Sequence, residues 1–83
     1  MNNTRWTRQS EGFYSAQVGQ IGIMIQSELH TEIEGRGWQY FISYTNRHGM
    51  FRTRQGDVYS TLSLTKEYAL DAVEQITREQ RSA

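Results

Sequence analysis

Two alternating apolar runs meet head to head at a glycine. Tyr14, Ala16 and Val18 lead into Gly19-Gln20, and Ile21, Ile23 and Ile25 lead out of it. Successive side chains of a strand point to opposite faces, so each run has one apolar side. A two-residue Gly-X loop suits a type II′ turn, whose first central residue needs a positive φ. If Val18 pairs with Ile21, then Ala16 faces Ile23 and Tyr14 faces Ile25, and all six fall on one face. Phe13, Ser15, Gln17, Gly22, Met24 and Gln26 fall on the other. The competing arrangement is one long bent strand with Gly19 as a bulge. Either way, this segment demands a sheet with one buried side.

The rest of the chain extends that sheet and then closes it. Trp6 lies in a polar stretch suited to an edge strand, and Ser10-Glu11-Gly12 reads as a turn. His30 to Gly37 is polar and reads as a loop. Trp38 to Tyr44 alternates cleanly, with Trp38, Tyr40, Ile42 and Tyr44 on one side and Gln39, Phe41 and Ser43 on the other. Asn46-Arg47-His48-Gly49 reads as a turn, and Met50 to Arg54 pairs back. Gln55-Gly56-Asp57 reads as a further turn, before a short extended segment from Val58 to Leu62. A helix is expected over about 65–80. Thr65 serves as its cap, Glu67 sits in its first turn, and Leu64 and Ala69 form a hydrophobic staple. Ala69, Ala72, Val73 and Ile76 follow the i, i+3, i+4, i+7 spacing of a buried stripe, with Asp71, Glu74, Gln75 and Arg78 outward. The expected fold class is α+β: an antiparallel sheet of three to five strands over about 5–62, followed by one C-terminal helix packed on one face.

Composition narrows the chemistry. At 83 residues the chain accommodates one domain with a modest core and little depth for a substrate pocket. It has no cysteine, which excludes thiolate chemistry and cysteine-ligated metals and favours a reducing, cytoplasmic setting. The first residues lack the apolar run of a signal peptide, and no run approaches the length of a membrane helix. His30 and His48 are the only histidines and lack metal-ligand spacing. No serine lies in a nucleophile elbow. Gly35-Arg36-Gly37 opens no helix and makes no phosphate loop. Glu32 and Glu34 could couple as a carboxylate pair, yet they fall in a polar loop. No enzyme activity, metal or cofactor is expected.

Charge points to partners. Nine basic and nine acidic residues balance to zero, which disfavours non-specific nucleic-acid binding. Eight of the nine basic residues are arginine, and Arg36 to Arg54 holds four of them with no acid. Arginine favours planar, bidentate contacts at interfaces. The candidate partner-binding residues are Arg36, Phe41, Arg47, Phe51, Arg52 and Arg54. Phe13, Met24, Phe41 and Phe51 are expected on the sheet face away from the helix, where a partner, a second copy or the Trp6 segment would cover them.

Three runs carry a resemblance: Trp6…Gly12-Phe13-Tyr14-Ser15-Ala16…Gly19…Ile23…Ile25, then Trp38-x-Tyr40-x-Ile42, then Thr65-x-x-x-Ala69-x-x-Ala72-x-x-x-Ile76. In size and layout the chain is similar to small sheet-then-helix proteins of phages and mobile elements, several anti-CRISPR proteins among them. The hairpin-plus-helix half also resembles HicB-type antitoxin domains and double-stranded-RNA-binding domains. It lacks the first helix and the lysine-rich last helix of the latter. The resemblance implies a non-enzymatic protein-binding module in the host cytoplasm. Such a module would inhibit a host defence complex, a protein or ribonucleoprotein, by occluding its surface. The alternatives are a nucleic-acid-binding module using the 44–54 hairpin and a self-associating accessory phage protein.

The turn carries a test. Gly19→Val should lower the melting temperature clearly more than Gln20→Val, because only the first position requires a positive φ. Equal, small effects would leave the bent strand as the better description.

Overall fold

The computed structural model describes residues 4–27 and 37–81. The elements run β1 (Thr7–Ser10), β2 (Phe13–Val18), β3 (Ile21–Ser27), β4 (Trp38–Thr45), β5 (Phe51–Tyr59) and α1 (Leu62–Arg81). The strands form one antiparallel five-stranded sheet in chain order, β1-β2-β3-β4-β5. The stretch from His30 to Gly37 expected to be a loop lies outside the described residues, apart from Gly37.

The first hairpin has the register expected of it: Val18 pairs with Ile21, Ala16 with Ile23 and Tyr14 with Ile25. Gly19 has φ +60°, and among the described residues none other than glycine has a positive φ, so Gln20 does not. That combination belongs to a II′ turn. Ile23 then pairs with Ile42 on β4, and Ile25 with Tyr40. These side chains face α1 and form the core with Ile21, Ala69, Ala72, Val73 and Ile76. The alanines remove bulk from the helix where it packs with the sheet isoleucines in the core.

The helix begins earlier than its sequence suggests. Thr61, not Thr65, is the cap: its Oγ1 accepts a hydrogen bond from the Leu64 N–H at 3.1 Å. Thr65 lies within the first turns, fully buried, and its hydroxyl donates back to the Thr61 carbonyl at 2.8 Å. Two threonines four residues apart compete for the same role, and burial of the Thr65 side chain decides between them. Consequently no acid occupies the first turn, and Leu64 is an exposed helical residue rather than half of a staple. The buried stripe matches the expectation, and Arg78 and Arg81 make the last turn basic.

The second correction concerns residues 55–57. They form no turn, and β5 runs through them as one strand. Gln39 pairs with Val58 but Phe41 pairs with Gln55, so Gly56 and Asp57 together oppose Tyr40. This is a β-bulge, which inserts one residue and flips the facing beyond it. Two side chains hold it. The buried Gln39 amide donates to the Gly56 carbonyl at 2.8 Å. The Tyr40 ring lies directly on the Gly56 Cα, where a Cβ would collide with it. Gly56 is thus required for space, since its φ is not positive.

The helix covers β3, β4 and β5. Towards β1 the same face is closed by aromatics. Trp6 packs on the core, and the ammonium of Lys66 lies 5.4 Å from its ring centroid and 5.3 Å from that of Tyr14. At the other side Tyr40, Tyr59 and Tyr68 stack in a ladder, with centroids 6.4 and 4.6 Å apart.

Gly56→Ala should destabilise the fold by about 1–3 kcal/mol, since the added methyl must displace the Tyr40 ring. Chemical denaturation of the two proteins checks this. A midpoint unchanged by the substitution would show that the bulge accommodates a side chain.

Candidate functional site

Two surfaces gather the residues with binding chemistry. The first is the face of the sheet away from α1. The pairings place Phe13, Ser15 and Gln17 of β2, Gly22, Met24 and Gln26 of β3, Phe41, Ser43 and Thr45 of β4, and Phe51, Thr53 and Gln55 of β5 on it. Met24 and Phe41 are direct neighbours at its centre. Met24 is 41% exposed and Phe51 67% exposed, while Phe13 and Phe41 are half-buried. Gly22 lacks a side chain between Gln17 and Ser43. The dip there forms part of a shallow groove of about 490 Å³, lined by Arg5, Ser15, Gln17, Met24 and Phe41 among others. The acids of the described residues lie elsewhere: Glu11 in a turn, Asp57 in the bulge, and Glu67, Asp71, Glu74 and Glu79 on the helix. Trp6 packs with the core on the helix side and does not cover this face.

The second surface lies where the β4–β5 turn approaches the end of α1. Asn46 builds the turn. Its Oδ1 accepts from the His48 and Met50 N–H groups at 2.9 and 3.0 Å, and Gly49 takes φ +80°. Gln80 ties the helix to the strand by donating to the Thr45 carbonyl at 2.7 Å. Between them opens a groove of about 330 Å³ lined by Tyr44, Arg47, His48, Arg52, Ile76 and Glu79, among others.

The six candidate partner-binding residues divide between these surfaces. Phe41 and Phe51 lie on the open face. Arg52 and Arg54 lie on the helix face, because they pair with Tyr44 and Ile42. Arg47 is in the turn, and Arg36 lies outside the described residues. The phenylalanine between two arginines therefore does not share a patch with them, since adjacent strand residues point opposite ways.

Arg54 finds its ion-pair partner outside the acid-free stretch from Arg36 to Arg54. Its guanidinium donates to Glu79 at 3.1 Å and lies 5.8 Å from the Tyr44 ring centroid. The sequence places Glu79 25 residues away, so only the packing of α1 reveals the pair. Arg78 pairs with Glu74 one helical turn away. Arg52 reaches the Met50 sulfur at 3.7 Å, and Arg47 donates to the His48 ring at 3.4 Å.

The titration pattern is structural. Burial raises the Tyr40 hydroxyl above its usual 10.0, partly countered by Arg54. Tyr59 is raised by burial and then by Tyr40. Both groups belong to the stacked ladder rather than to either groove. Among the described residues no group of three or more His, Cys, Asp or Glu is placed to hold a metal ion. No described helix is long and apolar enough to cross a membrane. Comparison with family models, with curated proteins and with solved structures finds no match to the chain.

The arginines should be separable by stability. Arg54→Gln should cost no more than about 1 kcal/mol, because the Glu79 pair is partly exposed and screened by solvent. Arg52→Gln should be neutral. A double-mutant cycle of Arg54→Gln with Glu79→Gln measures the pair itself, and a zero coupling energy would reassign Arg54 to its contact with Tyr44.

Proposed function

We propose that the chain is a non-enzymatic protein-binding module that docks its open sheet face on a partner protein. One observation carries this reading: the face combines Phe13, Met24, Phe41 and Phe51 with Ser, Thr and Gln, and bears no acid or lysine among the described residues. Interfaces are enriched in aromatic residues, Met and Arg, and depleted in Lys, Glu and Asp. Polar residues separate Phe13 and Phe51 from the central Met24–Phe41 pair. That favours a separable partner over a permanent dimer, whose interface would be more apolar. Among the described residues Arg5 is the one cation lining its groove, too few for a strand of nucleic acid held by its phosphates. The likeness in size and element order to anti-CRISPR proteins supports a more specific proposal. The module would act as an inhibitor that occludes the surface of a host defence complex, itself a protein or ribonucleoprotein.

A photo-crosslinking phenylalanine analogue at position 41 tests the face, with one at position 67 on the outer helix as control. In lysate of the natural host, position 41 should give a discrete protein adduct and position 67 none. Met24→Glu should abolish that adduct without changing the melting temperature. An adduct of twice the chain mass, a nuclease-sensitive adduct, or one insensitive to Met24→Glu would each overturn the reading.

A further inference from the structure

β5 is the last strand of the sheet and, among the described residues, pairs only with β4. The Asn46 N–H donates to the Met50 carbonyl at 2.9 Å, which makes 46 and 50 a hydrogen-bonded pair. Hydrogen-bonded and non-hydrogen-bonded pairs alternate along an antiparallel ladder. Thr45–Phe51, Ser43–Thr53 and Phe41–Gln55 are therefore of the second kind. The backbone N–H and C=O groups of Phe51, Thr53 and Gln55 then point outward, away from the sheet. The bulge at Gly56 and Asp57 ends this flat stretch. The opposite edge is different: β1 has four residues and a break in register between Arg8 and Ser10.

Charge decides what fits against this edge. Arg52 and Arg54 stand between the outward-pointing residues, both on the helix face. A second copy pairing antiparallel about Thr53 would set Arg52 against Arg54. Sliding the pairing by two residues sets Arg52 against Arg52, or Arg54 against Arg54. Like charges directly opposite each other destabilise a strand pair. The edge is thus guarded against its own copy by its arginines, a recognised way of blunting edge strands. The same arginines attract carboxylates. Arg54 already holds Glu79 on that face, which shows a carboxylate to be accommodated there.

We infer that the outer edge of β5 accepts an extended segment of a partner protein bearing acidic residues at alternate positions, which adds a sixth strand to the sheet. Backbone hydrogen bonds at Phe51, Thr53 and Gln55 hold the segment, and its acids lie opposite Arg52 and Arg54. This deepens the protein-binding reading by naming a chemical class of partner, on a surface distinct from the open face.

The probe is a capped heptapeptide with glutamate at alternate positions and threonine between them. A matched peptide carries lysine in place of glutamate. On titration of the full chain, the glutamate peptide should shift the amide resonances of Phe51, Thr53 and Gln55 and slow their hydrogen exchange. Arg52→Gln should weaken binding roughly threefold, and Arg52→Glu roughly tenfold, with preference transferred to the lysine peptide. An unchanged amide spectrum elsewhere verifies folding of both variants. Absence of binding at millimolar peptide, equal binding of the two peptides by the unsubstituted chain, or shifts confined to Met24 and Phe41 would overturn the inference. Such a failure leaves crosslinking from position 41 intact, so it is distinguishable from failure of the open-face reading.

Discussion

The pairing of Ile23 with Ile42, both fully buried, is the contact on which the remaining structure depends. It joins β3 to β4, and these strands begin and end far apart in sequence. It also presents a flat aliphatic layer to the helix. Ala69, Ala72, Val73 and Ile76 meet that layer, and the small alanines set the distance of approach. Removing apolar side chains from water supplies most of the driving force in a chain of this size. Once α1 is seated there, its end lies over the β4–β5 hairpin, and Glu79 and Gln80 meet Arg54 and Thr45.

Covering one face of the sheet leaves the other exposed, and the strand period of two distributes residues between them without regard to chemistry. Met24 and Phe41 become surface residues because their neighbours Ile23 and Ile42 are core residues. The same alternation separates Phe51 from Arg52. The β4–β5 hairpin therefore offers different chemistry on each side: aromatic and uncharged on the open face, cationic on the helix face and along the edge.

The bulge extends this division. By inserting one residue opposite Tyr40, it lets Val58 and Tyr59 pair with Gln39 and Trp38 after Arg54 has paired with Ile42. Without it, continued alternation would carry Val58 towards the helix. With it, Tyr59 enters the stacked ladder between Tyr40 and Tyr68. Gln39 and Gly56, neither of them an apolar core residue, are what make the bulge hold.

Local pattern alone determined the sheet, the hairpin register and the helical stripe. Alternation at residues 14–18, 21–25 and 38–44, and the spacing of Ala69, Ala72, Val73 and Ile76, are short-range signals of backbone period. The glycine of a II′ turn carries its own conformational reason. Tertiary packing decided what those signals left open. Thr61 and Thr65 are equivalent as caps until burial takes the Thr65 side chain. Gly56-Asp57 has the composition of a turn until Tyr40 and Gln39 close over it as a bulge. Phe51, Arg52 and Arg54 are near neighbours along the chain, but a sheet sorts such neighbours onto opposite faces. Glu79 finds Arg54 across 25 residues only because the helix folds back over the strands. Period is a property of each segment, whereas pairing across the fold depends on where segments come to rest.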